Sequence, residues 1–384
     1  MENRKISLKI SLWLAGMTAM TATTVISPLL ASIGATYPDA GESTISMLQT
    51  ITSLVMLPFM LLGGALSQKL SKKKILLIGF VLYTITGICT GLVDSIGMML
   101  LMRALMGAAT GLIGPLAGSL IADFFDGTAR AKMMGQMNAV DGAIGIGFSM
   151  IAGMLAMTDW HKAFYLYGVL VIVIILIAVA LPESEPDAKL AKTRKAEEKP
   201  VFTKTLAYLA IIGFLFMAIS IISMLKQSFY LQEEGLGNAG SAGVQMALMT
   251  LFMVVFSLLF AKVYKVTKNY TLTIVAFLTA LGFLLIVLAG VTHHVELFYI
   301  ASAVSGIGNG LMLPYFVLQG SMEAPIAQRS FFIALLMCGT FLGQFVGAFL
   351  PGIIAGITGT DSLRVLFGVA AGLLVVLAII TIIH

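Results

Sequence analysis

The lysines and arginines of this 384-residue chain fall almost entirely on one side of a ladder of long apolar segments. Alternating sides at each apolar run from the N-terminus places 19 of the 23 on one face. They are Arg4, Lys5 and Lys9, four from Lys69 to Lys74, Arg130 and Lys132, six from Lys189 to Lys204, three from Lys262 to Lys268, and Arg329. Arg103, Lys162, Lys226 and Arg364 are the remainder. A Lys/Arg excess beside span ends sets membrane orientation, so the pattern predicts a multi-pass protein of the cell membrane with N- and C-termini cytoplasmic.

Composition agrees: 59% of residues are hydrophobic and 11% charged, against roughly 45–50% and ~25% in soluble domains. The net charge of +5 and pI near 9.1 would suggest nucleic acid in a soluble protein. Here the basic residues sit where anionic headgroups are, so the partner they imply is the lipid bilayer and not nucleic acid. Cys89 and Cys338 are lone residues inside apolar runs, which argues against a disulfide or a cysteine metal site.

A span needs about 20 apolar residues to cross ~30 Å of hydrocarbon. Twelve segments qualify: 10–33, 44–66, 75–93, 97–122, 132–157, 163–181, 205–229, 243–261, 270–291, 296–319, 330–357 and 362–383. The opening MENRKISLKISLWLAGM has the layout of a secretory signal, but eleven further spans favour a retained first helix. The expected fold is an all-α polytopic membrane protein of two six-helix bundles, residues 1–181 and 204–384. They are joined by a charged, proline-containing cytoplasmic linker, 182–203, whose composition suits a tether. Shifting the first half by 199 residues aligns Gly107, Gly111 and Pro115 with Gly306, Gly310 and Pro314, Arg130 with Arg329, and Lys69 with Lys268. A parallel repeat of six-helix halves requires such coincidences.

These residues resemble the major facilitator superfamily, in particular its twelve-helix drug:proton antiporter members. The loop GALSQKLSKKKIL, Gly64 to Leu76, is similar to the signature G-x-L-x-D-R-x-G-R-R/K-x-x-L. Gly64, Leu66, Lys69, Lys72, Lys73 and Leu76 match in kind, while Gln68 stands in for the Asp and Ser71 for the second Gly. RALMGAATG, Arg103 to Gly111, resembles R-x-x-x-G-x-x-x-G, and Arg130 to Gly135 resembles R-x-x-x-x-G. GIGFSMIAG, Gly145 to Gly153, departs from the antiporter pattern G-x-x-x-G-P-x-x-G at Ser149 and Met150.

The resemblance implies a cytoplasmic gate at Gly64, Gln68, Lys69, Lys72 and Lys73, in which an Asp at the position of Gln68 would meet a helix N-terminus. Gln68 carries no charge for a helix dipole, so an ionic form of that gate is not expected from this loop. It also implies a cavity lined by spans one, four, seven and ten, whose polar or aromatic candidates are Thr21, Thr24, Lys226, Gln227, Asn309 and Tyr315. Lys226 lies near a span end and equally suits snorkelling to the surface. Gly107, Gly111 and Pro115, with Gly306, Gly310 and Pro314, suit both close packing and a hinge between rocking halves.

Intramembrane charge carries the chemistry. An ionised side chain at the bilayer centre costs roughly 2.5–3.5 kcal/mol on insertion scales, so such charges face a cavity or a partner. Arg103 in span four and Asp141 in span five differ in depth by about 7 Å at ~1.5 Å per residue. They are expected to meet, with Asn138 one turn before Asp141. The functional reading makes Asp141 a proton site balanced by Arg103, which also falls on the resembled motif's Arg; the alternative is a permanent structural ion pair. A carboxylate that gains and loses an Arg neighbour changes its proton affinity as access alternates.

No GxxxxGK(S/T), GxSxG or HExxH occurs, so neither an ATP-driven pump nor a membrane hydrolase is indicated. His293, His294 and Glu296 lack further ligands and read as a solvated loop, with no metal expected. The expectation is a non-enzymatic secondary transporter without cofactors, acting as a monomer by alternating access. It would exchange protons for small amphipathic or cationic compounds in efflux. A proton-coupled importer of an organic anion and a non-transporting sensor or scaffold are the alternatives.

Overall fold

The computed structural model describes residues 2–40, 42–156, 158–193, 204–237 and 239–383. Among these every regular element is helical. The first expected span is broken into α1 (Glu2–Ala15), α2 (Thr18–Thr24) and α3 (Leu30–Thr36), with a 3-10 turn at Ser27–Leu29. Pro28 sits inside that turn, and its ring and missing N–H prevent α2 from running on.

The next three spans are α4 (Glu42–Leu66), α5 (Lys72–Thr90) and α6 (Ile96–Phe124). Span five is α7 (Gly127–Ala156). Span six comprises α8 (Trp160–Ala163), a 3-10 turn at Phe164–Val169, and α9 (Leu170–Ala180). Its start is fixed by Asp159, whose side chain accepts a hydrogen bond from the backbone N–H of His161.

Within the expected linker, α10 (Asp187–Thr193) is helical, and 194–203 lie outside the described residues. Then follow α11 (Lys204–Glu233), α12 (Ala239–Thr267), α13 (Thr271–Thr292), α14 (Val295–Glu323) and α15 (Arg329–Gly347). Last come α16 (Leu350–Thr358) and α17 (Leu363–Ile383). The eleventh span, expected unbroken over 330–357, divides just before Pro351, where α16 starts with proline in its first turn.

Among the described residues eleven segments are long and apolar enough to cross a bilayer, and the broken α1 to α3 stretch takes the place of the first expected span. The fold is thus the all-α, twelve-span, two-bundle membrane architecture. Large apolar side chains point outward, Val179 being 82% and Ile357 80% exposed. In water that surface would be costly, whereas lipid tails accept it.

The chain forms two compact units. One holds residues 1–126, 136–203 and 320–338; the other holds 127–135, 204–319 and 339–384. The same packing device recurs in both. On α6 a Cβ at Gly107 or Gly111 would overlap the carbonyls of Thr52 and Met56 on α4. On α14 a Cβ at Gly306 or Gly310 would overlap the carbonyls of Met249 and Met253 on α12. In each unit two glycines four residues apart thus admit two carbonyls four residues apart, and the helix backbones touch.

Candidate functional site

Arg103 is fully buried on α6, and its donors are answered mainly by backbone. Nε donates to the carbonyl of Leu48 at 2.8 Å, Nη2 to that of Ala22 at 2.6 Å, and Nη1 to the thioether of Met106 at 3.0 Å. Ala22 lies in the last turn of α2, where carbonyls lose their helical partners and carry partial negative charge. The break in span one therefore supplies one of the acceptors that hold this buried cation.

Two tyrosines complete the cluster. The Tyr167 hydroxyl donates to the carbonyl of Thr21 at 3.2 Å, one residue before the Ala22 carbonyl that holds Arg103. The Tyr83 hydroxyl donates to the carbonyl of Thr18 at 3.2 Å and stands 2.9 Å from Oγ1 of Thr21. The two rings pack edge to face at 5.6 Å. Thr52 Oγ1 donates to the backbone carbonyl of Arg103 at 3.1 Å, tying α4 to α6.

Asp141, on α7 and 7% exposed, acts electrostatically on Tyr83, as does Arg103. Both expected charges thus lie within electrostatic range of the Tyr83 phenol. Asn138, one turn earlier, is half-buried, as is Thr24, while Thr21 is fully buried and central to the network.

A second cluster lies where α5 begins and α6 ends, in the same compact unit. Lys72, fully buried, pairs with Asp123 at the end of α6 and with Oδ1 of Asp187 at 2.6 Å. It also donates to Oγ of Ser119 at 2.8 Å. Arg329 pairs with Asp123 at 3.2 Å and donates to the carbonyl of Ala122 at 3.3 Å, near the C-terminus of α6 where a cation is favoured. Ser330 Oγ meets Ser119 Oγ at 2.6 Å.

Gly64 explains how α15 approaches so closely: a Cβ there would stand 2.7 Å from Cα of Phe331 and 2.9 Å from the carbonyl of Ser330. An ionic cluster, not expected from Gln68, is present beside this loop, its acids coming from Asp123 and from Asp187 of the linker. Gln68 and Lys73 are half-buried, and Lys69 is exposed.

The other unit carries a neutral network. Gln227 on α11 accepts hydrogen bonds from Ser223 and from Gln245 on α12, both at 2.9 Å, and donates to Ser302 on α14 at 2.8 Å. Ser302 occupies the place that the 199-residue repeat assigns to Arg103. Lys226 turns away from this network, its Nζ 5.5 Å from the centre of the exposed Phe229 ring. Asn309 donates to the carbonyl of Ser305 at 3.0 Å, and Tyr315 packs edge to face with Tyr264 and Phe316. Pro115 and Pro314 both lie inside continuous helices.

Tyr83, Tyr167, Asp123, Ser119 and Asp187 were not singled out by the sequence. Only Asp123 carried a usable signal, an acid at the end of span four facing the basic loop Lys69 to Lys74.

The family model described as Major Facilitator Superfamily matches residues 12–325. The quinolone resistance protein NorA of Staphylococcus aureus (strain Mu50 / ATCC 700699) is 28% identical over 160 residues, 41% of this chain and 39% of that protein. The multidrug resistance protein 3 of Bacillus subtilis (strain 168) is 30% identical over 109 residues, 27% of this chain and 20% of that protein. The matched stretches thus span well under half the length of these relatives. Two solved structures share the fold. The human organic anion transporter MFSD10 (TETRAN) has a TM-score of 0.77 at 15% identity, covering 98% of this chain and 99% of that one. The proton:xylose symporter XylE has a TM-score of 0.75 at 16% identity, covering 98% and 95%.

Proposed function

The chain belongs to the Major Facilitator Superfamily, and we propose that it is a membrane transporter of small molecules, a proton-coupled exporter of amphipathic or cationic compounds working by alternating access. The observation that carries this reading is the cluster of Arg103, Asp141, Tyr83 and Tyr167 inside the spans. Isolated charge is costly there and is kept where it has a task. In this reading Asp141 binds the transported proton. Arg103, anchored on the carbonyls of Leu48 and Ala22, is a fixed positive charge that favours proton release when Asp141 comes close.

Drug efflux as the direction is supported by the likeness to two bacterial resistance proteins. The neutral Gln227, Gln245 and Ser302 network leaves proton handling to the first half. Both termini are cytoplasmic, the bilayer is the plasma membrane, residues 1–181 and 204–384 move as two bundles, and the working unit is a monomer.

The test is proton movement in liposomes containing the full chain and an internal pH dye. Lipophilic cations, added across a panel, are expected to drive protons in the opposite direction to themselves. Proton movement in the same direction would replace export with symport, and none with any compound would overturn proton coupling.

A further inference from the structure

The linker after span six reads as a solvated tether, yet part of it is sealed from water. Asp187 is fully buried, and Ser184 nearly so. The backbone N–H of Asp187 donates to the carbonyl of Ser67 at 3.0 Å, and its Oδ2 accepts from the Ser67 hydroxyl at 3.1 Å. Ser184 Oγ accepts from the backbone N–H of Lys73 at 3.1 Å and stands 3.3 Å from Ser71 Oγ. These bonds fasten residues 184–187 to the loop between α4 and α5.

So fastened, Asp187 points in two directions. Oδ1 faces Lys72 Nζ at 2.6 Å, and Oδ2 accepts from the backbone N–H of Ser330 at 3.3 Å. Ser330 is in the first turn of α15, where unpaired N–H groups and the helix dipole favour an anion. Around this contact α15 is further held by Arg329 on Asp123, by Ser330 on Ser119, and by Cys338, whose thiol donates to the carbonyl of Leu57 at 3.2 Å.

We propose that Asp187 is a gate residue supplied by the linker: it provides the negative charge that Gln68 lacks, and it locks the start of α15 against α4, α5 and α6 at the inner end. For the inner end to open, α15 must leave this carboxylate. A buried ion pair suits such a lock. Its attraction is largely offset by the cost of dehydrating both groups, and water re-entering on opening compensates the broken contacts. Closed and open states then remain close in free energy, as a carrier that visits both requires. The proposal rests on the carrier reading but is tested without transport.

In a Cys89→Ser background, Cys338 is the only thiol, and its modification rate by a maleimide reports whether α15 has left α4. On the full-length protein in lipid nanodiscs, Asp187→Asn is expected to raise that rate at least about tenfold, the equivalent of 1.4 kcal/mol. Adding Gln68→Asp, next to the Ser67 that holds Asp187, is expected to bring it back towards the parent. If Asp187→Asn alone does not accumulate folded, recovery of folded protein by Gln68→Asp takes the place of the rate. An unchanged rate in Asp187→Asn, or a defect that Gln68→Asp leaves uncorrected, overturns the proposal. A responsive thiol in a protein that moves no protons would instead overturn only the exporter reading.

Discussion

Nη2 of Arg103 lies 2.6 Å from the carbonyl oxygen of Ala22, so the break in the first span and the buried cation of the fourth depend on one another. An unbroken first helix would keep that carbonyl for its own ladder. The guanidinium would then lose a partner in a region with no water to replace it. The helix interruption is therefore part of the charge site, and Pro28 helps to maintain it from six residues away.

Asp141→Asn tests the proton site. A neutral, isosteric side chain keeps the volume and removes the titration. Transport driven by a pH gradient is expected to fall at least about a hundredfold, near 2.7 kcal/mol, while substrate exchange without a gradient persists. An unchanged pH dependence in the folded variant would assign Asp141 to structure.

The paired glycines give a steric prediction. Gly107 and Gly310 each face a carbonyl of the neighbouring helix, whereas a Cβ at Gly147 on α7 would have nothing within 4 Å. Backbone cannot step aside as a side-chain tip can, so Gly107→Val and Gly310→Val are expected to cost about 1–3 kcal/mol or more. Gly147→Ala should leave the melting temperature within experimental scatter. Thermal unfolding followed by size-exclusion chromatography checks the contrast.

Membrane residence was legible because one-sided basic residues and long apolar runs are imposed by the bilayer itself. Arg103 and Asp141 were legible for the same reason, since charge in that setting is costly wherever it occurs. Tyr83 and Tyr167 were not. They are two of ten tyrosines, and their partners on α2 lie 62 and 146 residues away, a proximity that local pattern does not encode. Asp187 was hidden by its surroundings, because a charge-rich run reads the same whether one of its acids is solvated or enclosed. Lys226 and Gln227 show the converse: both were candidates as polar residues near a span end, yet the adjacent side chains diverge, one to the surface and one to the interior.

Asp159 yields a pH prediction outside the spans. The hydrogen bonds from His161 hold its carboxyl below the ordinary range, so the folded state binds that proton less readily than the unfolded chain. By linkage, the stabilisation is present above the unfolded value of about 3.9 and is lost as pH falls through the lower folded value. Asp159→Asn should therefore melt slightly lower than the parent at pH 7, and the gap should close below about pH 4. A gap that is constant with pH would place the effect on packing.

Topology is tested by labelling. Ala188 on α10 is exposed, and Ala40 precedes α4. In a chain without its native cysteines, Ala188→Cys is expected to react with an impermeant maleimide only from the cytoplasm and Ala40→Cys only from outside. Reaction of the former in intact cells would reverse the assigned orientation.

The remaining prediction asks whether Arg103 and Asp141 act as one unit. Arg103→Gln removes the buried charge and leaves the carbonyls of Ala22 and Leu48 with weaker partners, so a loss on the order of 3 kcal/mol is expected. Asp141→Asn alone should cost less, because the guanidinium keeps its backbone acceptors. If the charges sense each other around Tyr83, the double variant should be more stable than the sum of the singles predicts, by at least about 0.5 kcal/mol. Proton-coupled transport should remain absent in the double variant, because the titrating carboxylate is gone. Additive losses would mean that the two charges are energetically separate, and coupled transport in the double variant would remove Asp141 from the proton path.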